Sequence, residues 1–245
     1  MMGPSIPFQH HHFHGQGFED LYVFEHFFSN CTRPPYHRAG TFVEMGAADG
    51  VKISNTLFFE QFLGWKGLLV EPSSNFANVK RHRENGHRNT LLREAVCAEA
   101  GHVTWSEPQN KDVSGVLEHL SSHNLQHYHA HGAQRTKIAC RPLGEMLLAA
   151  GIDSIDFFSL DTEGGELGVL QTMNWSVPIG VLCVELDGQN VAKDQAVRNL
   201  LLSKGYRQHG QRMGFRKWNE IWRPAASNQR DFRATTAFVK NLEVR

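Results

Sequence analysis

Cysteine is scarce in this chain. Four residues, Cys31, Cys97, Cys140 and Cys183, stand far apart among 245, and no CxxC pair occurs. So few in so long a chain do not make a disulfide framework, and a reduced, cytoplasmic setting is the expectation. Cys97, Cys140 and Cys183 sit in or beside apolar strand-like runs, where cysteine acts as a small core residue. Charge of one sign is lacking too. Lys plus Arg balance Asp plus Glu at 25 each, so overall charge argues neither for nucleic acid nor for a membrane surface. No apolar run reaches the roughly 18 residues that span a bilayer. The opening stretch MMGPSIPFQHHHFHGQG has no apolar core of the signal-peptide kind. Internal repeats are absent as well.

What remains is a chain that is 40% hydrophobic, enough for one sizeable core and one large domain. It carries 15 histidines, an unusual number. His10, His11, His12 and His14 read either as metal ligands or as part of a flexible polar arm over 1–17, and nothing near them completes a closed metal site. The domain is then expected to run over 18–245. Apolar residues recur at helical spacing over 18–29. After a proline-broken link, 41–45 reads as a strand, 53–63 as a helix, and 68–72 as a second strand. A helix capped by Ser73 or Ser74 follows. Short strands at 90–96 and 102–106, a strand over 155–160, a helix opening at the glycines of DTEGGELGVLQTM, a strand over 179–186 and a helix around AVRNLLLSKG complete the rhythm. Continuous apolar strands alternating with helices mean a parallel sheet covered on both faces. The alternating tail YRQHGQRMGFRKWNEIWRP predicts a terminal antiparallel hairpin. The polar, His-rich stretch 107–137 interrupts this pattern, as a solvated insertion or as a lid over a site.

In a doubly wound sheet, ligands bind outside the carboxyl ends of the strands. Those ends carry acids: Glu44 and Asp49 around Gly46 after the first strand, Glu71 before Pro72 after the second, Asp161 and Glu163 after IDFFSL, and Glu185 and Asp187 after IGVLCVEL. Gly46 and Gly50 allow a tight turn and close backbone approach to a ligand. Glu71, some 25 residues beyond the first turn, is placed to accept hydrogen bonds from ribose hydroxyls, so the turn is expected to hold a nucleoside-bearing ligand. The turn is not GxGxxG, and acids at 44 and 49 would repel a pyrophosphate. That disfavours NAD and favours a cofactor with a positive centre and an ammonium group.

The stretches TFVEMGAADGVKISNTLFFEQFLGWKGLLVEP and IDFFSLDTEGGELGVL resemble the FkbM-type methyltransferases, which use S-adenosylmethionine. The resemblance runs from GQGFEDLYVFEHFF to KWNEIWRP, and DTEGGEL behind an apolar strand is its more diagnostic part. Thr162 stands where the family usually has a hydrophobic residue. The resemblance implies a class I methyltransferase fold, Rossmann-like and doubly wound, with a mostly parallel seven-stranded sheet ending in an antiparallel hairpin. It also implies that Glu44, Gly46, Ala48 and Asp49 surround the methionine part of the cofactor, with a carboxylate near its ammonium. Glu71 would bind the ribose, Pro72 would shape that turn, and Ala95 and Val96, at the third strand end, would border the adenine. Asp161 and Glu163 would face the transferable methyl and the acceptor. Asn55, on the following helix, reads equally as a site residue or an exposed one.

Two uses of Asp161 and Glu163 stay open: general base for an acceptor hydroxyl, or ligands of a divalent cation completed by Glu185 or a histidine of 119–131. The acceptor expected from the family is a hydroxyl on a sugar or small metabolite. No nucleic-acid groove is expected, since the basic stretch VKRHRENGHR reads as the solvated face of a helix. Within 107–137, His119, His123 and His127 are spaced to share one helix face, as acceptor contacts or as a solvated surface. Two other functions fit the same fold, a nucleotide-dependent oxidoreductase and a non-catalytic adapter. The oligomeric state is not legible.

Overall fold

The structure, a computed structural model, describes residues 9–29, 40–84, 86, 88–213 and 218–225. In chain order its elements are α1 (Glu19–Val23), β1 (Thr41–Met45), α2 (Leu57–Leu63), β2 (Lys66–Val70), α3 (Phe76–Arg83), β3 (Thr90–Leu92), β4 (Ala95–Val96), β5 (Gly101–Glu107), β6 (Gly115–Val116), α4 (Ser122–His127), β7 (Gln134–Arg141), α5 (Leu143–Ala149), β8 (Ile155–Leu160), α6 (Glu166–Gln171), β9 (Ile179–Glu185), α7 (Val191–Ser203), β10 (Tyr206–Met213) and β11 (Asn219–Pro224). Seven of the strands form one sheet in the order β10-β11-β9-β8-β1-β2-β3. From β9 to β3 its neighbours are parallel, and β11 and β10 close the edge as an antiparallel pair. The expected mixed α/β sheet with a terminal hairpin is therefore what the chain builds.

Burial on both faces explains the apolar runs. In β1, Val43 and Met45 join a core with Phe158, Leu160, Leu182 and residues of α5, α6 and α7. Phe42 faces the other way, into an aromatic core with Phe58, Phe59, Trp65 and Phe157. That second core is closed by the N-terminal segment. Phe13 stacks on Phe58 at 4.2 Å between ring centroids, and α1 continues as a π-helical turn, Phe24–Phe28, with both end residues buried. The part of the expected arm over 9–17 is thus docked on the domain, and residues 1–8 lie outside the described residues.

Strand order reverses between β1 and β8, because the chain winds one way through β2 and β3 and the other way through β9. Their carboxyl ends therefore border the crevice where doubly wound folds place ligands. Helix α2 starts at Leu57 and not at 53, because Ser54, Asn55 and Thr56 are tied to the buried Glu44 instead of to a helical ladder. Helix α3 is capped at Asn75, and the Ser73 hydroxyl accepts from the Asn75 N–H.

The His-rich stretch carries short elements of its own, β6, α4 and the start of β7. It contributes to a second sheet, β4-β7-β5-β6, in which β5 and β7 pair along their whole lengths. This corrects the reading of 90–96 as one strand: β3 ends in the main sheet at Leu92, and Ala95–Val96 opens the second. It also corrects the reading of the cysteines. Strand β4 runs parallel to β7 with Ala95 opposite Cys140, so Cys97 falls beside Cys140 and the two form a disulfide with Cα atoms 5.6 Å apart. Their separation of 43 residues hid the pairing. A disulfide removes the ground for expecting a reducing compartment. Among the described residues, no helix is long and apolar enough to cross a membrane.

Candidate active site

The turn after β1 is held from two sides. The N–H groups of Gly46 and Ala47 both donate to the Val70 carbonyl, at 3.0 and 3.2 Å, and the Asp161 N–H donates to the Met45 carbonyl at 3.1 Å. Gly46 has φ +78°, and a Cβ there would lie 1.8 Å from the Asp161 carbonyl oxygen. Only glycine permits the ends of β1 and β8 to come this close. Ala48 follows at φ 47°, uncommon for a residue with a side chain. Its N–H donates to Glu71 Oε2 at 2.8 Å, while the Ser73 N–H donates to Oε1 at 2.9 Å. The Glu71 carboxyl is thereby fixed at the end of β2. Burial pushes its pKa up to about 7, against the opposing pull of the Ser73 and Ala48 bonds.

These elements wall a cleft of about 710 Å³, part of it open to solvent. Of the residues expected at a site, Gly46, Ala48, Glu71 and Pro72 line it from β1 and β2. Ala95 and Val96 line it from the second sheet, and Asp161 and Glu163 from the end of β8. Glu44 and Asp49 are not among the lining residues. Glu44 is 3% exposed and faces the protein interior. Its carboxylate takes hydrogen bonds from the Ser54 and Thr56 hydroxyls and the Asn55 N–H at 2.8–3.0 Å, with the Arg83 guanidinium at 3.4 Å. No lone pair is left to offer a cofactor. Asp49 caps its own turn, accepting from the Val51 and Lys52 N–H groups at 2.9 and 2.7 Å. The argument that these two acids repel a pyrophosphate therefore loses its basis. The basic stretch holds a second surprise. Arg83, expected on a solvated helix face, is fully buried and joins Glu44 to Glu60, its Nε donating to Glu60 Oε2 at 2.6 Å.

Opposite Glu71 stands a group of acids. Asp161, Glu163 and Glu185 are half-buried, and one carboxylate oxygen from each lies within 4.8 Å of the other two. It is the one group of potential metal ligands that the described residues bring together, and it is the set that the sequence suggested. Burial, then the charge of Glu166, lifts Asp161 to about 6, while a hydrogen bond with Glu185 opposes the rise. Glu163 and Glu185 are held well above the usual carboxylate range, first by burial and then by the charges of Asp161 and of each other or Glu166. At neutral pH such a group shares protons among its members. Asn124 of α4 donates to Glu163 Oε2 at 3.1 Å. Glu163 also has φ 52°, a costly conformation at a site residue.

Glu166 escaped the sequence reading although it shapes this turn. It is buried, accepts from the Thr162 and Gly164 N–H groups at 3.1 and 3.0 Å, and pairs with Lys193 at 2.5 Å. The signal available was an acid at the start of a helix, where it bonds free N–H groups. Asn55 is not among the lining residues of the cleft; its side-chain amide donates to the Ser159 hydroxyl at 3.0 Å.

The second sheet forms the roof of the cleft through Trp105, Ser114, Val116 and His119. Polar ties hold roof to floor, among them Lys52 to Asp112 at 3.0 Å, Lys111 to the Ser74 hydroxyl at 2.5 Å, and Ser74 to Glu107, its N–H donating at 2.9 Å. The histidines of this region do not share one helix face. His119 precedes α4 and turns into the cleft, its pKa lowered by burial. His123 and His127 stack on α4 at 3.9 Å. His129 is buried, bonded to the Ser106 hydroxyl at 2.8 Å and the Val113 carbonyl at 2.9 Å. On the far side of Glu163 a second cavity opens, bounded by Glu163, Glu185 and Asp187 and by residues of α4 and β11.

The family model described as the methyltransferase FkbM domain matches residues 44–208, about two thirds of the sequence. The chain belongs to the FkbM methyltransferase family. Among curated proteins none matches it. Among solved structures it resembles the methyltransferase FkbM from Methylobacillus flagellatus KT, at 16% identity and TM-score 0.52, over 84% of this chain and 50% of that one. The chain thus spans half the length of that structure. It is also similar to a human methyltransferase 10 domain containing protein, at 10% identity and TM-score 0.41, over 90% of this chain and 83% of that one. The first likeness supports the fold, and nothing here rests on the second. The FkbM match takes in the Gly46 turn, Glu71, the acid group and the roof. It leaves outside it the N-terminal segment and β11, both of which border the second cavity through Gln16 and Asn219.

Proposed function

We propose that this chain is an S-adenosylmethionine-dependent O-methyltransferase acting on a hydroxyl of a sugar or small metabolite. One arrangement carries the reading: Glu71 and the Gly46 turn on one wall of a cleft, with Asp161 and Glu163 on the other. The residues present fit the cofactor. Gly46 lets the ends of β1 and β8 close up beside the cleft, and Glu71 presents a carboxyl to ribose hydroxyls. Ala95, Val96 and Trp105 offer an apolar border for an adenine, while Glu44 and Asp49, either of which was expected near the ammonium, are engaged within the protein. The cofactor would supply an electrophilic sulfonium methyl.

The chain's own task is then alignment and the handling of one proton. With a pKa of about 6, Asp161 can take up the proton that the acceptor hydroxyl gives up. Glu163, its carboxyl held well above the usual range by burial, stands beside it and can hydrogen-bond the acceptor oxygen. The spacing of Asp161, Glu163 and Glu185 also favours a second use, as ligands of a divalent cation that would lower the hydroxyl's pKa.

Calorimetry with S-adenosylmethionine and with NAD tests the cofactor. Micromolar S-adenosylmethionine binding with no NAD binding supports the reading. NAD binding instead would indicate an oxidoreductase, and no binding of either an adapter. Labelled-methyl transfer with and without EDTA then separates proton handling from metal catalysis.

A further inference from the structure

The second cavity measures about 950 Å³ with its open mouth, and it shares Glu163 with the cofactor cleft. An acceptor held here would meet a methyl in the first cleft across Glu163, which lines both. The second cavity's walls are unusual for a chain with balanced charge. Glu163, Glu185 and Asp187 line it, and among the described residues that line it there is no Lys or Arg. The cations nearby are already engaged. Lys193 pairs with Glu166 at 2.5 Å and lies 3.4 Å from Asp194. Arg212 pairs with Glu220 at 3.2 Å and donates to the Leu186 carbonyl. Tyr128 and Trp218 line the cavity as well, and Tyr128 is 40% exposed.

We infer that this cavity takes a cationic acceptor: a hydroxylated amine whose ammonium sits at Glu185 and Asp187 while its hydroxyl lies at Glu163. The inference rests on the methyltransferase reading above and adds the charge class of the acceptor. Coulomb attraction inside a partly desolvated pocket is several times stronger than in water. The ring faces of Tyr128 and Trp218 add cation–π attraction. The same walls reject anions, because a carboxylate or phosphate would join acids that already repel one another.

The test uses the full chain with methyl-labelled S-adenosylmethionine and a panel of small hydroxylated compounds in matched charge classes. Amino sugars and amino alcohols form the cationic set, their N-acetylated counterparts the neutral set, and uronic acids the anionic set. The expected result is label in the cationic set at least tenfold above the other two. Asp187→Asn and Glu185→Gln should each lower that labelling at least tenfold and leave S-adenosylhomocysteine affinity, read by calorimetry, unchanged. Label in the neutral or anionic set, or in no set while the cofactor product binds, overturns the inference and leaves the methyltransferase reading standing. Failure to bind S-adenosylhomocysteine at all overturns both.

Discussion

The pH dependence of cofactor binding follows from Glu71. Its carboxyl is buried, with a pKa of about 7 against an ordinary value of 4.5. A group raised in this way favours the folded state below pH 4.5, and that contribution fades as pH climbs through 7. The shift is worth about 3 kcal/mol, at 1.36 kcal/mol per unit. Ribose hydroxyls donate to the ionised carboxylate, so binding prefers the deprotonated form. At pH 6 roughly one molecule in ten is ionised at this site, and S-adenosylmethionine should bind about fivefold more weakly than at pH 7 and about tenfold more weakly than at pH 8. Glu71→Gln keeps the shape but turns an amide N–H towards either the Ala48 or the Ser73 N–H. It should cost roughly 1–3 kcal/mol of binding, the scale of hydrogen bonds to a charged group, and abolish the pH dependence near 7. Calorimetric titrations of both proteins between pH 6 and 8 decide the matter. An affinity that stays flat with pH in the wild type, or a Glu71→Gln variant that binds as tightly, would refute the assignment of Glu71 to the ribose.

Asp161→Asn and Glu163→Gln should lower turnover far more than cofactor affinity; full methyl transfer by both variants would remove the acid group from the chemistry. Arg83→Met leaves Glu44 and Glu60 buried without their cation and should cost about 3–5 kcal/mol of stability in urea denaturation. Adding Glu44→Gln and Glu60→Gln should recover part of that loss, and no recovery would mean that Arg83 acts by packing alone. Reducing Cys97–Cys140 opens a loop of 43 residues, worth about 4 kcal/mol on the chain-entropy account. Thermal melting with and without reductant should therefore differ, and coincident curves would contradict a stabilising role.

The strands of the main sheet were legible because a parallel sheet covered on both faces demands continuous apolar runs, and TFVEM, GLLV, IDFFSL and IGVLCVE are such runs. The acids at their ends were legible because the fold class says where ligands sit. Sequence alone thus determined the sheet, the hairpin, the family likeness and the strand ends that border the site. It could not tell which acids face the cleft. Glu44 and Glu71 look alike in the sequence, each an acid at the end of an apolar run. Only the tertiary structure turned one inward to Arg83, 39 residues away, and left the other at the cleft wall. The same holds for Cys97 and Cys140 and for the roof built by β4 to β7, whose pairings join residues too distant for any local pattern to reveal. Local periodicity reports which side of an element is buried. What buries it, and which charge finds a partner, is decided by long-range packing.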